Sequence, residues 1–231
     1  MSVTPNNNIE FHSIRALADL VETKDAFNLD KAMIRGLDIA ISAVAIVVLA
    51  PLLAVIALVI WFTDPGAVVF GHKRIGQGGK TFRCFKFRSM VVDAQDRLDA
   101  LLASDPVARA EWARDHKLKN DPRITAIGGF LRKSSLDELP QLFNVLMGTM
   151  SLVGPRPIVF DEVRRYGRYF DDYCAVRPGV TGLWQCSGRN DVSYRRRVAM
   201  DVTYVRSASL KLNLGLMLKT VPSVIKSRGS Y

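Results

Sequence analysis

The chain has 231 residues, of which 48% are hydrophobic and 23% charged, with a formal net charge of +10 and a pI near 9.8. This composition excludes a disordered chain, and it leaves nucleic acid, an anionic membrane face or a phosphate-bearing substrate as partners for the positive charge. The three cysteines, Cys84, Cys174 and Cys186, are odd in number and far apart, which excludes a disulfide framework and fits reduced thiols on a cytosolic domain.

The first thirty residues carry Pro5 and three consecutive asparagines and read as a flexible N-terminal tail. Residues 31–64 form the membrane element. Ile39–Phe62 contains no charged residue, and Pro51 sits near its middle. The run begins too late for a secretory signal peptide. One reading is a single kinked helix across the bilayer. The other is a re-entrant hairpin that turns at Pro51, where the missing N–H and a clash with the Val47 carbonyl predict a kink. Each half gives about 18 Å of helix at ~1.5 Å per residue, enough to reach the midplane of a core ~30 Å thick. Lys31 and Arg35 precede the run, while His72, Lys73, Arg74, Lys80 and Arg83 follow it. Cations on both sides suit two cytoplasmic ends.

Residues 65–231 read as the catalytic domain. Val68–Phe70 and Thr81–Phe87 predict a small β-hairpin around Gly76-Gln77-Gly78-Gly79. Helical spacing covers Met90–Leu102, and a second helix opens at Pro106. Asp121-Pro122-Arg123 and Gly128-Gly129 read as loops. Further helices are expected over Asp137–Met147, Asp161–Tyr173 and Tyr194–Ile225. The last carries Leu214, Leu218, Val221 and Ile225 on one face with Lys211, Lys219 and Lys226 nearby, a pattern that suits either a membrane interface or core packing.

The densest chemistry lies in Leu131–Gln141, where Asp137 and Glu138 follow Arg132 and Lys133. Ser135-x-x-Glu138 has the form of a capping box, but Pro140 would then fall inside the helix. With Asp137 as N-cap, Pro140 falls where no intrahelical donor is needed. Two carboxylates at a helix start can hold Mg²⁺, and a carboxylate can attack phosphorus. Nearby cations would offset its repulsion from a diphosphate. Pro155-Arg156-Pro157 presents a guanidinium from a stiff loop, which suits bidentate phosphate binding. Lys86-Phe87-Arg88 adds two alternate cations, and Arg177-Pro178-Gly179 opens a further block.

These blocks, together with the proline-broken hydrophobic segment, resemble the bacterial sugar transferase family, the small monotopic phosphoglycosyl transferases acting on polyprenyl phosphate. The resemblance runs from Lys31 to Tyr231, with Ala50-Pro51 where some members have Ser-Pro. It implies a predominantly helical α/β fold, membrane-associated and monotopic, with one re-entrant helix. The implied reaction takes hexose 1-phosphate from a UDP-sugar to undecaprenyl phosphate with Mg²⁺, releasing UMP. Asp137 would be the nucleophile, and Glu138 would act through the metal or as a proton carrier. Arg156, flanked by Pro155 and Pro157, and Lys86, Arg88 and Arg132 would contact phosphate or nucleotide. The C-terminal Ser187–Tyr194 and Ser227–Tyr231 blocks resemble members that begin exopolysaccharides with galactose, then glucose. An N-acetylhexosamine donor for another surface glycan is a further alternative. The chain lacks the extra N-terminal membrane helices of longer relatives and is expected to be the minimal catalytic form, on the cytoplasmic face of the inner membrane. Implied partners are the UDP-sugar, undecaprenyl phosphate, membrane lipid and downstream glycosyltransferases; a homo-oligomer is left open.

Three other readings fit the sequence less well. A membrane-anchored basic binding protein would need a nucleic-acid motif or an aromatic stacking platform, and neither is seen. A simple glycosyltransferase would release UDP instead of UMP. A metal hydrolase is disfavoured by the isolation of His12, His72 and His116.

Overall fold

The computed structural model describes residues 7–115, 118–187 and 192–225. Helix α1 (Asn7–Thr63) takes in most of the expected tail and continues without interruption through Pro51. From Leu29 to Thr63 it is long and apolar enough to cross a membrane. Its apolar surface is turned outward, with Val44 64%, Val47 74% and Phe62 73% exposed. Polar contacts hold both ends of the apolar run to the same body. Arg35 donates to the Val145 and Leu146 carbonyls (2.7 and 3.0 Å), and Asp38 accepts from the Leu152 amide (2.9 Å). At the far end the Asp64 carboxylate accepts from the Val92 amide (2.8 Å).

Strands β1 (Val69–Ile75) and β2 (Thr81–Phe87) pair antiparallel, with Phe70 opposite Lys86 and Arg74 opposite Phe82. The expected hairpin is present, with a longer first strand. Its turn needs positive φ at Gly78 (66°) and Gly79 (72°), which glycine adopts without steric cost. Helices α2 (Ala94–Ser104) and α3 (Pro106–Asp115) form a second hairpin. Asp105 caps α3 through the Val107 amide (2.8 Å), and Arg109 reaches back to the Leu102 carbonyl (2.7 Å).

Gly128 and Gly129 lie inside helix α4 (Ala126–Ser134), not in a loop. Gly128 is there for contact: a Cβ would stand 1.9 Å from the Ser89 carbonyl oxygen. After α4, Ser135 turns left-handed (φ 60°), and Leu136–Glu138 form a single 3-10 turn. Helix α5 (Gln141–Leu146) begins only after Pro140. Asp137 is therefore no helix N-cap, and Ser135 makes no capping bond. Leu139 and Pro140 keep right-handed helical angles, and Pro140, which has no N–H to donate, stands at the N-cap of α5.

Strand β3 (Ser151–Val153) pairs in parallel with β4 (Gly179–Thr181), a pairing not read from the sequence. Between them α6 (Val163–Tyr166) and α7 (Phe170–Cys174) replace the single helix expected over Asp161–Tyr173. The break falls at Gly167, whose φ of 52° and ψ of −128° are not helical. Helix α8 (Leu183–Ser187) is followed by α9 (Tyr194–Ser207) and α10 (Leu210–Ile225), so the last expected helix is two.

Three apolar clusters hold these elements. Cys84, Val145, Met150, Val153, Tyr204 and Leu216 join β2, α5, β3, α9 and α10 beneath α1. Ile75, Ile158, Tyr166, Tyr173, Val198 and Val202 form the second, and Ile56, Ile60, Phe87 and Leu131 the third. Each fully buried aliphatic side chain contributes roughly 1.5–3 kcal/mol. Leu216 faces the core of α10, while Leu214 and Leu218 face outward. Phe143 and Met147 beside α5 and Phe130 on α4 are also exposed, on elements that pack against α1.

Asn144, 1% exposed, is the joint between α5 and β2. It accepts from the Phe85 amide (2.8 Å) and donates to the Arg83 carbonyl (2.7 Å). Asn144→Leu strands two buried backbone groups and is expected to cost about 3 kcal/mol. A drop in thermal midpoint of less than 2 °C would show that this joint does not hold β2 in place.

Candidate active site

The turn from α4 through Ser135 carries Asp137 inward while Leu136 and Leu139 pack on the Phe87–Leu131 cluster. Asp137 is only 8% exposed. Opposite it, Lys86 on β2 places its ammonium 2.6 Å from Glu138 Oε1 and 3.7 Å from Asp137 Oδ2. Two adjacent carboxylates thus share one cation at the edge of the interior. Burial pushes the Asp137 carboxyl above the usual carboxylate range; Lys86 and Arg132 oppose that rise and Glu138 adds to it.

The remaining sequence candidates divide. Arg132 donates through Nε to Ser89 Oγ (2.8 Å), close enough for its charge to act on both Asp137 and Asp121. Arg88 serves the exit of α1: its guanidinium donates to the Asp64 carbonyl and lies 3.8 Å from the Asp64 carboxylate. Pro51 is exposed on α1, away from these groups. Much of the Ser187–Tyr194 block and all of Ser227–Tyr231 lie outside the described residues.

Lys86, Glu138, Arg156 and Pro157 line one shallow, open cleft. Asp137 stands beside it behind Lys86. The Pro155-Arg156-Pro157 loop is clamped from both sides. The Pro155 carbonyl accepts from the Gly179 amide (2.8 Å), and Ile158 and Ile75 are bridged (3.0 Å). The Tyr173 hydroxyl donates to the Ile75 carbonyl (2.7 Å) behind them. A Cβ on Gly179 would come within 2.0 Å of the Gly154 amide nitrogen, so only glycine allows β3 and β4 this approach. Pro155 and Pro157 are buried, and Arg156 projects from between them.

Sequence reasoning missed Arg74, Cys84, Gln141 and Gln185, which complete the cleft. The register of the hairpin holds the signal for two of them. Paired residues share a face, so Phe70↔Lys86, His72↔Cys84 and Arg74↔Phe82 put Arg74 and Cys84 on the Lys86 side. Asp201 on α9 was also missed. Its buried carboxylate accepts from the Tyr166 hydroxyl (2.7 Å), and burial pushes it up to about 7 against the pull of the Arg156 charge.

Among the described residues no three His, Cys, Asp or Glu side chains converge as a metal cluster. Mg²⁺ does not require one, since it is commonly held by one or two carboxylates with substrate phosphates completing its shell. The donor set fits: Glu138 and Asp137 already turn hard oxygens toward one shared cation, the Lys86 ammonium.

Residues 29–227 match the model of the family described as "Bacterial sugar transferase". The chain is 52% identical over 200 residues to the undecaprenyl-phosphate galactose phosphotransferase of Salmonella typhimurium, covering 85% of this chain and 41% of that protein. It is 47% identical over 231 residues to the UDP-galactose-lipid carrier transferase of Erwinia amylovora, covering 100% and 45%. With the exopolysaccharide production protein ExoY of Sinorhizobium fredii it shares 48% identity over 197 residues, covering 85% and 87%. The chain thus spans less than half the length of the first two.

The pairing of Lys86 with Asp137 is open to direct titration. Removing the cation in Lys86→Met removes a term that favours ionised Asp137, so the carboxyl holds its proton to higher pH. Carboxyl ¹³C NMR should show its midpoint moving to higher pH. An unchanged or lower midpoint would mean that Lys86 does not act on Asp137.

Proposed function

The chain belongs to the bacterial sugar transferase family, and on that premise we propose that it moves hexose 1-phosphate from a UDP-sugar to undecaprenyl phosphate, as the first membrane step of exopolysaccharide synthesis. The observation that carries this reading is the meeting of a buried acid pair with a cationic cleft beside an exposed apolar face. Galactose is favoured as the sugar because two of the similar proteins carry galactose in their names.

In the proposed mechanism the donor's diphosphate enters the cleft, where Lys86 and Arg156 offset its charge. An ionised Asp137 oxygen attacks the sugar-linked phosphorus. The bond from that phosphorus to the bridging oxygen breaks, and UMP leaves with the electron pair. Asp137 then holds the phosphosugar as an acyl phosphate. An oxygen of the lipid phosphate attacks the same phosphorus, and the Asp137 carboxylate departs, giving polyprenyl diphosphate-sugar. Mg²⁺, held by Glu138 with Asp137, would supply further charge neutralisation on the diphosphate. Burial of Asp137 keeps water from competing for the intermediate.

A long apolar lipid must meet this cleft at the membrane, and the outward face of α1 with Leu214 and Leu218 suits that surface. We propose that α1, although helical through Pro51, enters and leaves the membrane on one side. Arg35 and Asp38 before the apolar run and Asp64 after it are held by the same body, which favours both ends at the cytoplasmic face. Cysteines placed before Lys31 and after Asp64 are expected to react only with cytoplasmic reagents. Labelling of the first from outside would establish a spanning helix.

Nucleotide release tests the reaction. With undecaprenyl phosphate, Mg²⁺ and a panel of UDP-sugars, UMP should form with one donor and fall by roughly 10⁴-fold in Asp137→Asn. Asp137→Asn should also abolish covalent labelling by the donor. Glu138→Gln should cut turnover about 10²–10³-fold, as should chelation of the metal. Formation of UDP would mean sugar transfer alone and would overturn the mechanism.

A further inference from the structure

Arg74 is a half-buried cleft cation whose charge is only loosely met by the protein around it. Its guanidinium is largely withdrawn from water, with the side chain 20% exposed. Its Nη1 donates one long bond to the Pro157 carbonyl (3.3 Å) and lies 3.9 Å from Glu162 Oε2. That carboxylate is already shared, since the same Oε2 accepts from the Val159 amide (3.0 Å) and Tyr194 also bonds to Glu162. Burial and then the neighbouring Arg156 both weaken the hold of Arg74 on its proton. Two guanidiniums turned toward one cleft repel each other unless an anion lies between them.

Position gives the anion a chemistry. Arg74 stands on the same sheet face as Lys86, four residue pairs further along the hairpin, so it faces the cleft at a distance from the Lys86 end. Pro157 borders the cleft, and its carbonyl steadies the Arg74 fork. Planar guanidinium forks match phosphate oxygens in pairs, which an ammonium does not. Resting on the reading of the cleft as a UDP-sugar site, we propose that Arg74 and Arg156 form a two-arginine clamp on the phosphate that leaves with UMP, while Lys86, Glu138 and Asp137 attend the transferred phosphate. Arg74 thereby acts as a donor-binding residue that also stabilises the leaving group.

The test is binding of UMP and of inorganic pyrophosphate to the full detergent-solubilised chain, read by calorimetry in the Asp137→Asn background so that no turnover intervenes. Arg74→Gln should weaken UMP at least about tenfold, and Arg74→Lys should recover only part of that loss because it restores charge without the fork. Glu162→Gln separates this role from a structural one. If Arg74 only braces Glu162, then Glu162→Gln weakens UMP as much as Arg74→Gln does, and the clamp is overturned. If Arg74 binds phosphate, Glu162→Gln leaves UMP affinity unchanged or tighter. Pyrophosphate that binds in an Arg74-dependent way while UMP does not bind would keep the clamp and overturn the uridylate reading. Full affinity for both probes in Arg74→Gln, at an unchanged thermal midpoint, would overturn the clamp itself.

Discussion

Everything at this site depends on one buried electrostatic arrangement: two neighbouring carboxylates, Asp137 and Glu138, around the single ammonium of Lys86. Withdrawing an ionised carboxylate from water costs several kcal/mol unless a cation and hydrogen bonds offset it. The fold meets that demand by fastening the two contributing segments to one another. Asn144 joins α5 to β2, and the contact of Gly128 with Ser89 brings α4 against the strand's exit. A Lys86 displaced by a few ångströms would remove the charge that most favours ionised Asp137, the form the proposed attack on phosphorus needs. Rigidity of the hairpin is therefore a chemical requirement of the site.

The second constraint is the boundary between water and lipid. Helix α1 buries only a narrow stripe against the domain and leaves most of its apolar surface outside. A soluble protein rarely tolerates so large an exposed apolar face. Here that face continues onto Phe130, Phe143, Met147, Leu214 and Leu218, all on or beside elements that touch α1. The polar pins at Arg35, Asp38 and Asp64 lie at the ends of the run. The exposed apolar surface and the cationic cleft thus belong to one packed body, which suits the proposed reaction between a nucleotide and a lipid phosphate.

Glycine and proline do different work here from the turn-making that their sequence pattern suggests. Gly128, Gly154 and Gly179 permit contact between backbones, and a single added carbon would separate the pieces they join. Pro155 and Pro157 hold Arg156 at the end of a loop that has little freedom to retract. Pro140 delays the start of α5, which confines Asp137 to a tight turn between two helices. As a helix cap Asp137 would need α5 to start beside it, whereas α5 starts at Gln141 behind Pro140 and Asp137 sits in the 3-10 turn before it.

Much was legible in the sequence. An uncharged run with a central proline, adjacent acids after a basic pair, and an arginine between prolines are local patterns, and each encodes a local physical demand. Apolar length specifies membrane contact, and side-chain type specifies what can attack or bind phosphate. What the sequence could not reveal was which of the many cations meet at one point. Arg88 and Arg132 are candidate phosphate contacts in the sequence, ranked behind Lys86, yet the first secures α1 and the second binds Ser89. Arg74 looked like a flanking charge, yet the strand register carries it into the cleft. Charge meets charge across residues distant in sequence, so the partners are set by strand pairing and helix packing. The kinds of chemistry available were determined by the sequence alone; the tertiary structure decided which residues share the work, because electrostatic interaction depends on distance in space and burial, and neither is written in chain order.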